Sequence, residues 1–126
     1  MIQGCALGPV ECVFTASDLT ILSPTNRLCK YADDTYLLVA ATNTLSVPQE
    51  PPHISDCASA NILKLNNTKS QEMIVHQPRK KRQFYPNLIP GIKRVDKLHI
   101  LGVTASQTLT FHNHVDVVVQ KTTTMP

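Results

Sequence analysis

Two adjacent aspartates, Asp33 and Asp34, are the residues of this chain best suited to do chemistry. They stand between Leu28-Cys29-Lys30-Tyr31-Ala32 and Thr35-Tyr36-Leu37-Leu38-Val39, runs that read as strands. Strands joined at Asp33-Asp34 make a tight hairpin with both carboxylates at its tip. Clustered carboxylates suit hard divalent ions such as Mg²⁺. Two such ions about 4 Å apart serve phosphoryl transfer to a nucleotide chain. Without a cation, like charges in a confined site repel, so the arrangement is costly unless an ion is bound. An Asp-Asp pair alone is usually just a turn; the flanking strands give this one its specificity.

The sign of the charge changes along the chain. Residues 1–63 hold six acids and two bases, and residues 64–126 hold ten bases and three acids. The first half contains the candidate metal ligands; the second could hold a phosphate backbone. There, Arg79-Lys80-Lys81-Arg82 reads either as a solvated loop or as a phosphate contact, with Phe84 and Tyr85 beside it. Cys5, Cys12, Cys29 and Cys57 form no Cys-x-x-Cys pair, and no short ligand-like spacing is read from them to His53 or His76. Free, mostly buried thiols in a reducing compartment are expected rather than zinc. The longest apolar run, Leu37 to Ala41, is far too short to span a bilayer, and no signal peptide is read. The expected location is intracellular, in nucleus or cytoplasm, with no membrane partner.

The remaining elements must position this hairpin. Residues 1–9 read as loop, and Val10, Val13, Phe14 and Leu19 recur at helical spacing. Ser23-Pro24-Thr25-Asn26 is a turn, and 42–52 is a loop with three prolines. A helix is expected over His53–Leu65, with Ile54, Cys57, Ala58, Ile62 and Leu65 on one buried face. Strands are expected at Gln71–His76, Ile92–Val95 and Leu98–Thr104, the last two joined around Asp96-Lys97. Thr110 would cap a final helix through Lys121, with Phe111, Val115, Val118 and Val119 inward.

Taken in order, these segments resemble the reverse transcriptase domain of LINE-type non-LTR retrotransposons. Lys30-Tyr31-Ala32-Asp33-Asp34-Thr35 resembles that family's metal-binding Tyr/Phe-Ala-Asp-Asp box. Gln3-Gly4-Cys5-Ala6-Leu7-Gly8-Pro9 resembles the box before it, usually Gln-Gly-Ser-Val-Leu-Gly-Pro. Ala58-Ser59-Ala60-Asn61 through Leu63-Lys64-Leu65-Asn66, then Lys69-Ser70, resembles the next palm helix and strand, and Leu101-Gly102-Val103 the strand near the primer grip.

The resemblance implies an α+β fold, a partial polymerase palm with an antiparallel sheet and helices packed on one face. Residues 1–107 would be palm and 108–126 the start of a thumb or connecting helix, with fingers missing. It implies that Asp33 binds the catalytic Mg²⁺ or Mn²⁺ ions and that Asp34 supports them. Tyr31 would lie near the primer end or nucleotide. Gln3 and Gly4 would shape the nucleotide pocket, and Lys69 would face the triphosphate. RNA template, DNA primer and deoxynucleoside triphosphates would be the partners of the complete domain. The chain departs from the pattern: the family's first catalytic aspartate precedes the Gln-Gly box and has no counterpart here, Cys57 replaces a common Trp, and Pro51 and Pro52 stand in what is often helix. The sequence is therefore expected to be a piece of a longer one, inactive alone. A small basic nucleic-acid-binding protein and a non-functional product of a decayed element are the alternatives.

Overall fold

The structure, a computed structural model, describes residues 19–79 and 85–123. Its architecture is α+β. The chain divides into two units, Met1–Asn66 and Asn67–Pro126.

In the first unit, strands β1 (Arg27–Tyr31) and β2 (Asp34–Leu38) pair antiparallel. Strand alternation puts Leu28 and its partner Leu37 on one face, where both pack against helix α1 (Glu50–Ala60). Ile54, Cys57 and Ala58 fall at helical spacing and meet them; Leu19, Ile54 and Ala58 form the buried centre. A kinked 3-10 helix (Ala41–Ser46) leads from the hairpin into α1.

A polar knot ties these pieces together. Glu50, with no exposed surface, accepts from the backbone amides of Leu22 and Ser23 at 3.0 and 2.9 Å and from Asn26 Nδ2 at 2.8 Å. Asn26 is also buried; its Nδ2 reaches Ser46 Oγ, and its Oδ1 accepts from Asn43 Nδ2. Asn43 lies at the kink in the 3-10 helix and also donates to Ser23 and Thr25. Glu50 thus joins the entry segment to the start of α1, and Asn26 carries the tie on to the 3-10 helix.

α1 departs from the expected His53–Leu65 at both ends. It begins earlier because Pro51 and Pro52 stand in its first turn, where backbone N–H groups have no intrahelical acceptor and proline costs nothing. It stops earlier because Ile62 takes φ 59°, Ile62 N–H donates to Ser59 O, and Leu63 N–H donates to Ala58 O. These bonds form a Schellman stop, with Leu63 packed back onto the core. Ile62 is consequently thrown outward and is 96% exposed, not part of the buried face expected of it, whereas Leu65, half-buried, still packs against the core.

In the second unit, β3 (Gln71–Glu72) and β4 (Lys93–Arg94) make a short parallel ladder, braced by Arg94 Nε to Glu72 Oε1 at 2.8 Å. β5 (Lys97–Ile100) and β6 (Val103–Ser106) form an antiparallel hairpin. Its loop is Leu101-Gly102, both at positive φ, the pattern of a type I′ turn. The expected strand over Leu98–Thr104 is therefore split by that turn, and Asp96-Lys97 is no hairpin tip. The Gln71–His76 strand is cut to two residues because β4 supplies only two partners, and His76 N–H instead donates to Gln107 O. The described strands thus pair as three separate two-stranded ladders rather than one antiparallel sheet.

The last helix, α2 (His112–Thr123), buries no residue; Phe111, Val115, Val118 and Val119 are about half exposed, not inward. Thr110 does not cap it through its side chain: Thr110 Oγ1 pairs with Ser106 Oγ at 2.7 Å. Among the described residues no helix is long and apolar enough to cross a membrane.

A β-branched residue in the left-handed region is strained, and glycine is the usual occupant of a Schellman stop. Ile62→Gly should raise unfolding free energy by roughly 1 kcal/mol in urea titrations, whereas a loss of 2 kcal/mol or more, on the order of a core truncation, would place Ile62 in the core after all. Glu50→Ala strands three donors and should cost about 3 kcal/mol. Burial pushes the Glu50 carboxyl up, but the Leu22 and Ser23 amides, the Asn26 side chain and nearby His53 outweigh it, leaving it below its ordinary value. Its contribution is therefore complete above the ordinary glutamate range and lost as pH falls through the lowered folded value. Melting temperature should fall on acidification more steeply in the native chain than in Glu50→Gln; parallel curves would remove Glu50 from the linkage.

Candidate functional site

The aspartates lie at the hairpin tip, shifted by one residue from the expected register. Tyr31 pairs with Asp34, so the two-residue loop is Ala32-Asp33, and Asp34 is the first residue of β2. Ala32 takes φ 51° at the first loop position, a conformation that favours glycine. Both aspartates are exposed. Alternation puts Tyr31, Asp34 and Tyr36 on the face opposite Leu28 and Leu37. Tyr36 OH donates to Asp34 Oδ2 at 3.1 Å. A carboxylate has about four acceptor positions, so Asp34 retains capacity for a cation. Tyr31 is 64% exposed beside it, an aromatic surface next to the acidic tip.

The hairpin is held from behind. Leu28 and Leu37 rest on α1, and Lys30 Nζ, on the same face, donates to Leu19 O at 2.8 Å. The tip therefore projects from a packed base, while its two carboxylates arise from neighbouring backbone positions.

Other expected site residues are placed elsewhere or not described. Gln3 and Gly4 lie outside the described residues, as does the helix expected after Pro9. Lys69 is an exposed residue of a turn in the second unit, closed by Ser70 N–H to Asn67 O at 3.2 Å. Arg79 is exposed; Lys80, Lys81, Arg82 and Phe84 are outside the described residues, and Tyr85 is half exposed. Among the described residues no group of three or more His, Cys, Asp or Glu side chains converges.

One constellation escaped the reading of the sequence. His53 Nε2 lies 3.6 Å from Cys57 Sγ, and Thr20 Oγ1 lies 3.2 Å from the former and 3.5 Å from the latter. The expectation that no ligand-like spacing joins a cysteine to His53 is corrected: residues four apart on a helix share a face. The signal was present in His-x-x-x-Cys, since the helix expected over His53–Leu65 already contained both residues. The described cysteines are free, as expected, but not buried: Cys29 is exposed and Cys57 half-buried.

Comparisons with protein-family models, with curated proteins and with solved structures find no match to this chain.

Backbone strain at the tip gives a direct test. Ala32→Gly should stabilise the first unit by up to about 1 kcal/mol and sharpen amide-exchange protection across β1 and β2. A destabilised hairpin in that variant would show that Ala32 does not adopt the left-handed conformation in solution.

Proposed function

We propose that this chain is a palm segment of an RNA-directed DNA polymerase of the LINE type, carrying part of a two-metal centre and not polymerising alone. The observation that supports the reading is the hairpin: an Ala-Asp-Asp tip between two strands, backed by a helix, with a tyrosine paired across from the second aspartate. In this reading Asp33 and Asp34 hold Mg²⁺ or Mn²⁺, and Tyr31 borders the primer end or nucleotide. Gln3, Gly4 and Lys69 serve the nucleotide, and the basic tract at Arg79, Lys80, Lys81 and Arg82 meets nucleic-acid phosphate. The working compartment is intracellular. Two neighbouring carboxylates cannot readily surround two ions, and the family's further aspartate lies on a separate strand preceding the Gln-Gly box. Positioning and electrostatic stabilisation each contribute many kcal/mol to such reactions, so an incomplete centre is expected to be silent.

The excess of bases in residues 64–126 favours a second reading, a nucleic-acid-binding module without catalysis.

Primer extension on an RNA template with Mg²⁺ or Mn²⁺ distinguishes them. Residues 1–126 alone should give no extension. Fusion to a family segment carrying the fingers and upstream aspartate should restore it, and Asp33→Asn in that fusion should abolish it. A folded, template-binding fusion that never extends a primer would remove the palm assignment. Salt-sensitive nucleic-acid binding indifferent to Asp33→Asn would then leave the binding module.

A further inference from the structure

We propose that His53 and Cys57 form a site for a borderline-soft divalent cation of the Zn²⁺ class, with the Thr20 hydroxyl at a third vertex. His53 Nε2, Cys57 Sγ and Thr20 Oγ1 make a triangle with sides of 3.6, 3.2 and 3.5 Å, each atom facing the other two. With Zn–S near 2.3 Å and Zn–N near 2.0–2.1 Å, a tetrahedral ion holds sulfur and nitrogen about 3.5 Å apart. The observed 3.6 Å leaves little rearrangement to be done.

The frame is fixed by packing on both sides. Ile54 and Ala58, each one residue beyond a ligand, are buried in the core, as is Leu19 before Thr20. Leu19 O is held in turn by Lys30 Nζ. His53 and Cys57 are half-buried and Thr20 is exposed, so water can reach the fourth vertex. The buried Glu50 carboxylate, one turn earlier on α1, adds negative charge nearby.

Donor type sets the selectivity. Sulfur and imidazole nitrogen favour Zn²⁺ and Co²⁺, whereas Mg²⁺ prefers oxygen. The site therefore does not share its ion with the hairpin carboxylates. On binding, the Cys57 thiol gives its proton to solvent and its sulfur bonds to the metal; His53 binds as neutral imidazole.

The test is Co²⁺ titration of the full chain with Cys5, Cys12 and Cys29 replaced by serine, leaving Cys57 as the sole thiol. One equivalent of Co²⁺ should produce thiolate-to-cobalt charge-transfer absorption, removed by Zn²⁺ and unaffected by excess Mg²⁺. Cys57→Ser should abolish the band. His53→Gln should weaken binding tenfold or more, and Thr20→Val several-fold, with far-UV circular dichroism reporting whether each variant keeps its fold. No band in the folded three-serine chain would overturn the proposal without recourse to further variants. A band of equal affinity in folded His53→Gln would also overturn it, and equal affinity in Thr20→Val would remove Thr20 from the site.

Discussion

A carboxylate with no contact with solvent organises the first unit. Burying Glu50 is tolerable only because three donors converge on it: two backbone amides of the entry segment and the Asn26 side chain. Each comes from a segment that would otherwise be free to move. The amides fix residues 22 and 23 against the start of α1, and Asn26 fixes the last residue before β1. Asn26 and Asn43 extend the network to the kink of the 3-10 helix. Losing the Glu50 carboxylate takes the acceptor from two backbone amides and from Asn26 at once, a cost that the loss of one apolar contact does not carry.

The hairpin depends on that constraint. Apolar burial beneath it is modest: Leu19, Ile54 and Ala58, with Leu28 and Leu37 only partly covered. A two-stranded hairpin is marginal in water unless a third element covers one face. α1 does so, but only if its first turn is anchored, and Glu50 is the residue that anchors it. The route from the polar knot to the acidic tip is therefore short. It runs from Glu50 to the start of α1, then to Ile54 and Ala58, then to Leu28 and Leu37.

Legibility in the sequence followed the strength of local physics. The hairpin could be read because strand formers flank a turn-forming pair on both sides, although its register was off by one: Ala32 accepts a positive φ that residue preference argues against. The existence of α1 was legible from Ile54, Cys57 and Ala58. Its ends were not, since prolines were read as breakers rather than first-turn residues, and Ile62 occupies a position where glycine is the usual marker. Leu98–Thr104 read as one strand because Leu101 looks like a strand residue, yet it turns the chain together with Gly102. Glu50 carried no sequence signal of burial, because a surface glutamate and a buried one look alike until their donors are placed. The two aspartates were legible as a pair, whereas the His53-Cys57-Thr20 triangle depends on a contact thirty-three residues distant in sequence.

The turning points of the chain bear on its stability. Ala32, Ile62, Leu101 and Leu109 all sit at positive φ without being glycine. Each carries a penalty of about 1–2 kcal/mol relative to an unstrained residue, against a typical domain stability of 5–15 kcal/mol. In the second unit Ala105 is the one buried hydrophobic residue among those described, and α2 buries none. Strained turns over so little apolar burial leave a small margin, and additional packing would widen it. The half-exposed valines of α2 and the face of the hairpin bearing Tyr31, Asp34 and Tyr36 are surfaces that further polypeptide or nucleic acid could cover. Any partner that covers the tip also removes water from around Asp33 and Asp34. That strengthens their mutual repulsion and, equally, their attraction for a divalent ion. In the polymerase reading proposed above, stabilising the fold and loading an ion at the tip would then be coupled by the same burial.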